Sequence, residues 1–221
     1  MISPSRVVCL LDCDNTLLDN DGLKADLITK LLTVLGPERA QRFWALYEHT
    51  RHAEGTVDFP ATVALLRPEI GDVLADRVRS VIWDYPFADR LYPASLQVLA
   101  HLWDLGCDVG IVSDGDLEYQ PHKIQESGLA AAVKGQFKVY IHKQQHLAEV
   151  MAWRASDHYV MIDDKAPILA DIKRMQPALF TTLHVHQGHY SNDVAQPAPD
   201  IEIAQIGDLL RFDLARLTQR I

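Results

Sequence analysis

Residues 7–18 read Val7-Val8-Cys9-Leu10-Leu11-Asp12-Cys13-Asp14-Asn15-Thr16-Leu17-Leu18, a short apolar run that stops at two acids. A run of this length, with β-branched residues inside and polar ones at its end, reads as a buried strand. In an open parallel sheet, ligands bind at the carboxyl ends of the strands, so the two acids stand where chemistry would be done. Side chains alternate along a strand. Asp12 and Asp14 therefore share one side if the extended conformation persists through Asp14, and Cys13 faces the other way as a packed thiol. Two close carboxylates repel unless a cation or a proton lies between them.

Working outward, further strand-length apolar runs occur at Val109 to Val112, Val139 to Ile141, Tyr159 to Ile162 and Leu179 to Val185. Helix-period segments separate most of them: Pro93 to Leu105, Leu117 to Ser127, Gln145 to Ala155 and Ala166 to Met175. Strands alternating with helices predict βαβ units and a parallel sheet with right-handed crossovers. Pro93 suits a first helical turn, and Gly106 and Gly128 fall where helices end. From about Asp21 to Arg90 the alternation breaks. Only helical patterns occur there, at Leu23 to Leu35, Glu38 to His52, Ala61 to Leu66 and Val73 to Trp83. After a Pro-rich connector, Gln196 to Asp200, the tail predicts a sixth strand at Ile201 to Ala204 and a closing amphipathic helix from Ile206 to Leu217.

The chain has 221 residues, enough for one domain plus an inserted subdomain, and a hydrophobic share of 48% supports a well-buried core. With 21 basic and 30 acidic residues its formal charge is -9, and no basic patch interrupts the balance. Nucleic acid and anionic membrane surfaces are therefore not expected partners. The cysteines, Cys9, Cys13 and Cys107, are odd in number and lie in or beside apolar runs, which predicts free buried thiols in a reducing compartment. With no signal-peptide pattern and no apolar stretch of spanning length, the expectation is a soluble cytoplasmic protein.

Three other strand ends add to the acid pair. Val112-Ser113-Asp114-Gly115 offers a hydroxyl and a glycine suited to an anion at a helix N-terminus. Ile141-His142-Lys143 ends its strand with a cation, and Met161-Ile162-Asp163-Asp164-Lys165 with a second acidic pair. One sheet edge would thus hold a nucleophile, a hydroxyl, an ammonium and metal-binding acids, which together suit phosphoryl transfer.

This combination resembles the haloacid dehalogenase-like superfamily, whose four motifs match Asp12-Cys13-Asp14-Asn15-Thr16, Ser113, Lys143 and Asp163-Asp164 in order. The resemblance implies an α/β fold, a Rossmann-like parallel sheet flanked by helices, with an inserted all-helical cap. It places the core at residues 1–19 and 91–221 and the cap at 20–90. It further implies a Mg²⁺-dependent phosphohydrolase acting on a small phosphorylated substrate. Asp12 would attack phosphorus to form an aspartyl phosphate, while Asp14 would protonate the leaving group and then activate water. The Asp12 side chain, the Asp14 backbone carbonyl and the Asp164 side chain would be direct Mg²⁺ ligands, with Asp163 an outer partner; which of Asp163 and Asp164 binds directly stays open. Lys143 would neutralise charge on Asp12 and the phosphoryl oxygens. Thr16, Ser113, Asp114 and Gly115 would form the phosphate site. Lys138 and Lys165 are the competing lysines, and Lys165 reads as the start of a helix.

A phosphomutase would share every one of these motifs. A dehalogenase of the same superfamily attacks carbon without magnesium and lacks the acid two residues after its nucleophile, and a non-catalytic binding module is the remaining alternative. His184, His186 and His189 have metal-like spacing, but no acidic or cysteine ligand stands near them in sequence. Asp19 and Asp21 read as solvated acids on the flap after the first strand. Trp44 to Phe59 mixes aromatic and basic residues that either contact a leaving group or pack the cap. The sequence names neither the substrate nor the oligomeric state.

Overall fold

The apolar run at residues 7–11 forms β1 (Val7–Leu11), every residue of which is buried. In the computed structural model, which describes residues 6–54 and 57–219, β1 lies inside a parallel sheet of six strands. The others are β2 (Asp108–Asp114), β3 (Phe137–Tyr140), β4 (His158–Asp163), β5 (Phe180–Val185) and β6 (Ile201–Ile203), in the spatial order β3-β2-β1-β4-β5-β6. β1 is hydrogen-bonded to β2 on one side, with Cys9 opposite Val109, and to β4 on the other, with Cys9 opposite Val160. The order of strands reverses at β1, so the crevice beyond its carboxyl end is the sheet's natural ligand site.

Alternation along β1 divides the interior in two. Val7, Cys9 and Leu11 join one apolar cluster, to which α5 (Ser95–Asp104), α6 (Tyr119–Glu126) and α7 (Leu129–Ala132) add Val98, Leu99, Leu102, Ile124 and Leu129. Val8 and Leu10 join the other, with Leu147 and Val150 of α8 (Leu147–Trp153) and Ile168, Leu169 and Ile172 of α9 (Ala166–Met175). Helices on both faces explain why β1 is apolar throughout instead of alternating. Each fully buried Val or Leu is worth about 1.5–3 kcal/mol over its exposed state.

Between β1 and β2 the chain forms α1 (Asn20–Leu35), α2 (Pro37–Glu54), α3 (Phe59–Ile70) and α4 (Asp72–Trp83), then a 3-10 turn at Phe87–Arg90. Their apolar side chains, including Leu23, Leu27, Leu31, Phe43 and Phe59, continue the first cluster. Phe59 meets Tyr119 of α6 edge-on, with ring centroids 4.9 Å apart. All three cysteines are free and buried. Among the described residues, no helix is long and apolar enough to cross a membrane.

Three local expectations are corrected. Pro93 precedes its helix, which starts at Ser95, where the hydroxyl donates to the Leu17 carbonyl at 2.7 Å. Lys143 does not end a strand, because β3 stops at Tyr140 and the lysine opens a 3-10 turn, Lys143–His146. The closing helix is broken into a 3-10 turn, Ile206–Arg211, and α10 (Leu214–Leu217), whose start is capped by Asp213 accepting from the Arg216 amide at 2.8 Å.

Candidate active site

Asp12 is the first residue beyond β1 and is 2% exposed; its amide donates to the Ile162 carbonyl of β4 at 2.9 Å. The Lys143 ammonium is ion-paired with the Asp12 carboxylate and lies 2.7 Å from Asp163 Oδ2. Asp114, at the end of β2, accepts from the Lys143 amide at 2.7 Å and so fastens the turn that carries the lysine. Burial alone would push the Lys143 ammonium down, but Asp12, Asp163 and Asp114 around it push it well up, so it stays charged.

Asp12, Asp163 and Asp164 each place a carboxylate oxygen within 4.8 Å of the other two, all three residues being buried. Asp163 is also committed to its own loop, accepting from the Lys165 amide at 2.9 Å. Asp164 differs: both of its carboxylate oxygens are buried without a hydrogen-bond partner among the described residues. Burial, then the charges of Asp163 and Asp12, push its carboxyl up to about 9. Burial pushes Asp12 up to about 7, with Lys143 opposing and Asp163 adding to the rise. Three buried acids face the Lys143 ammonium, with the Lys165 ammonium also acting on Asp12 and Asp164, and so remain short of positive charge. The donor set is all oxygen, which fits Mg²⁺, with the Asp12 and Asp164 side chains able to hold it directly.

β1 ends at Leu11, and Asp14 is bridged to Leu18 across a turn at residues 15–17, where the Asn15 amide donates to the Leu18 carbonyl at 2.7 Å. Its carboxylate pairs with Lys123 of α6 at 2.6 Å, and Lys123 also donates to Asn20 Oδ1 at 3.1 Å. Cys13 is buried in the first apolar cluster, as a packed thiol should be.

The four residues expected around phosphate are placed differently from one another. Asp114 and Gly115 line a cavity of about 450 Å³, together with Asp14, Lys123 and Lys165. Ser113 is fully buried, and its hydroxyl accepts from Gln120 Nε2 at 3.0 Å. The Thr16 hydroxyl is buried without a hydrogen-bond partner among the described residues. The expected helix N-terminus is taken already: Asp116 accepts from the Glu118 and Tyr119 amides at 2.9 and 2.5 Å. Gly115 is required for space, since a Cβ there would lie 2.7 Å from Gln120 Cγ.

Lys123, Gln120 and Asn15 were not expected in the site. Asn15, with φ 58°, turns its Oδ1 toward the amides of Asn20 and Asp21, at 3.1 and 3.2 Å, and so starts α1. Asp19 and Asp21 are partly exposed, as solvated acids would be, and each also holds a neighbour. Asp19 caps α1 by accepting from the Gly22 amide at 2.9 Å, and Asp21 holds the His189 ring at 2.7 Å and its amide at 2.8 Å. His189 thereby leaves the histidine cluster, while His184 on β5 and His186 just beyond it stay together, with ring centroids 4.4 Å apart. Of the competing lysines, Lys138 lies over the Trp153 ring, away from the acids, and Lys165 precedes α9 at the cavity wall.

Trp44 to Phe59 divides in function. Trp44 packs edge-on against Phe43, whereas Tyr47, Arg51 and Phe59 also line the cavity. His52 is exposed and does not line it, and residues 55 and 56 lie outside the described residues.

The family profile for haloacid dehalogenase-like hydrolases matches residues 7–175. A crystal structure from Burkholderia xenovorans LB400, assigned to the haloacid dehalogenase-like hydrolases, is 40% identical, with 95% of this chain and 100% of that one covered and a TM-score of 0.86. The magnesium-bound HAD-hydrolase YfnB of Bacillus subtilis shares the fold at 20% identity, with coverage of 95% and 100% and a TM-score of 0.60. So does the L-2-haloacid dehalogenase of Xanthobacter autotrophicus with chloropropionic acid covalently bound, at 16% identity, coverage of 94% and 98%, and a TM-score of 0.57. No curated protein matches the chain. A profile match over most of the chain, together with the Burkholderia relative, shows that this protein belongs to the haloacid dehalogenase-like hydrolase family.

Proposed function

We propose that the protein is a Mg²⁺-dependent phosphohydrolase that cleaves a small phosphorylated metabolite through an aspartyl phosphate on Asp12. The observation that carries this reading is Asp164, a buried carboxylate whose two oxygens have no hydrogen-bond partner among the described residues, beside Asp12 and Asp163. A buried, unpaired carboxylate is costly unless it meets a cation. Mg²⁺ held there by Asp12 and Asp164 would neutralise the charge of the phosphoryl group and of the acids around it.

In this proposal the Asp12 carboxylate attacks phosphorus while the Lys143 ammonium offsets its charge. Asp14 gives a proton to the departing oxygen and later takes one from the water that hydrolyses the acyl phosphate. Lys123 orients Asp14 for both steps, and the unpartnered Thr16 hydroxyl is available to a phosphoryl oxygen. The helices α1–α4 act as the cap, placing Tyr47, Arg51 and Phe59 where the leaving group would lie. The presence of Asp14, two residues after the nucleophile, supports phosphate over halide as the leaving chemistry.

The test is a paired assay of the purified protein. Phosphate release from an aryl phosphate and chloride release from 2-chloropropionate are followed with Mg²⁺ and with EDTA. Phosphate release that requires Mg²⁺ is expected; chloride release that persists in EDTA would overturn the reading. A panel of sugar phosphates, nucleotides and small organic phosphates then separates net hydrolysis from a phosphomutase, which returns the phosphoryl group to a sugar.

A further inference from the structure

A second group of side chains with metal-binding chemistry converges away from the acidic cluster. β5 and β6 are parallel with His184 opposite Glu202, and His186, the first residue beyond β5, continues the ladder by donating its amide to the Ile203 carbonyl at 2.9 Å. All three side chains therefore stand on one face of the sheet. One ligand atom from each lies within 4.8 Å of the other two. The acid is far from the histidines in sequence, because Glu202 comes from the strand after the Pro-rich connector.

The hydrogen bonds of the two rings settle which nitrogens are available. His184 Nε2 lies 2.8 Å from the Asp164 carbonyl oxygen, and His186 Nδ1 lies 2.5 Å from the Ser191 carbonyl oxygen. A carbonyl only accepts, so each of these nitrogens carries the hydrogen. In the neutral rings, Nδ1 of His184 and Nε2 of His186 keep their lone pairs. Metal-bound histidines are held in this way, with the second ring N–H fixed by a carbonyl or carboxylate.

The spacing agrees with the tautomers. His186 Nε2 is 3.5 Å from Glu202 Oε2. With metal–ligand bonds of about 2.0–2.2 Å, the edge of a tetrahedron is about 3.3–3.6 Å, so this pair already has the separation a tetrahedral ion needs. His184 is almost fully buried, whereas the His186 and Glu202 side chains are 35% and 58% exposed, so an ion would enter from solvent and meet a preset inner ligand.

We propose that His184, His186 and Glu202 form a second metal site, for a divalent ion of the zinc type, with three protein ligands and one position left for water. Two imidazoles and one carboxylate suit such an ion, whereas Mg²⁺ takes oxygen ligands, so the two sites would not compete for one metal. Through the Asp164 carbonyl, the buried imidazole joins this site to the acidic cluster.

The test uses Co²⁺ as a spectroscopic stand-in for zinc, added to the full chain in excess Mg²⁺. One equivalent of Co²⁺ should bind with the intense visible absorption of a four-coordinate ion, and one equivalent of Zn²⁺ should displace it. Asp12→Asn should leave this binding unchanged, which separates the result from the fate of the phosphohydrolase proposal. His186→Ala and Glu202→Gln, both at solvent-facing positions, should each weaken binding by more than the roughly 10- to 100-fold that loss of an outer partner costs. Circular dichroism confirms that both variants fold. Absorption no stronger than that of the aqueous ion, binding that survives both substitutions, or binding lost in Asp12→Asn would overturn the site.

Discussion

Lys123 Nζ lies 2.6 Å from an Asp14 carboxylate oxygen, and the lysine side chain is only 3% exposed. Losing the ammonium would free the carboxylate to turn away from the cavity. Lys123→Met should therefore slow hydrolysis by about 10²-fold, the scale of an ångström-sized misplacement of a catalytic group. The loss should be larger for an alkyl than for an aryl phosphate, because only the poorer leaving group depends on a proton from Asp14. Steady-state rates on the two substrates check this; an equal loss on both would remove Asp14 from the role of acid.

Asp12→Asn should abolish phosphate release while the protein stays folded, since Lys143 keeps Asp163 as a partner. Lys143→Ala should do more damage. It leaves Asp12 and Asp163 buried together without their cation, and breaking a buried pair typically costs about 3–5 kcal/mol. Urea unfolding of the two variants should place Lys143→Ala clearly below Asp12→Asn.

The acids of the cluster also set a pH dependence. An unfolded aspartate loses its proton near pH 4, whereas burial pushes Asp12 up to about 7 and Asp164 up to about 9. Across that window the folded protein holds protons that the unfolded chain has released, so metal-free stability falls as pH rises from about 4 to 9. A bound divalent cation favours the charged carboxylates and should flatten the decline. Unfolding midpoints at pH 5 and pH 8.5, in EDTA and in Mg²⁺, test the sign. A metal-free midpoint that rises with pH would contradict it, and Asp164→Asn should remove much of the slope.

Within the acidic pair, Asp164→Ala should cost activity at low Mg²⁺ and regain part of it at high Mg²⁺, because water can refill the position without the charge. Asp163 is held by Lys143 and the Lys165 amide. Asp163→Asn should therefore weaken Mg²⁺ more modestly, by about 10- to 100-fold. Titrating activity against Mg²⁺ in both variants orders the two residues, and the reverse order would exchange their roles.

Arg51 lines the cavity, with its side chain half exposed and 3.3 Å from Glu48. Arg51→Ala should shift relative rates across a panel of phosphorylated substrates, with anionic leaving groups losing most. His52→Ala, at a position outside the lining, should change none of them. A uniform effect of Arg51→Ala would return this residue to helix packing.

The parts of the site visible in the sequence are those where an apolar strand is interrupted by charge. Asp12 and Asp163 are legible for that reason, since each directly follows or ends a run of buried residues. Lys123 and Gln120 lacked such a contrast, because polar residues in a helix read as its solvent face. The signal in α6 is the bracketing itself: Tyr119, Gln120, Lys123 and Ile124 are all buried, and the apolar pair encloses the polar pair on one face. The Asp21–His189 contact spans 168 positions and had no local signal at all. Lys143 is legible as a cation after an apolar run but its element is not, since a short turn after an edge strand has no periodicity to read.

The place of β1 in the sheet also bears on synthesis. Of the six strands β1 is made first, yet its neighbours begin only at Asp108 and His158. At about 5–20 residues per second, a growing chain carries this apolar strand for roughly 7 to 30 s before both partners exist. Until then Val7 to Leu11 offers unpaired backbone to any other extended segment, the hazard of an uncovered edge. Chaperone demand should therefore be greatest for nascent chains that stop short of β4. Such fragments would contain Asp12 and Asp14 but neither Asp163 nor Asp164, so a ribosome stalled before residue 158 yields a sticky strand and no enzyme.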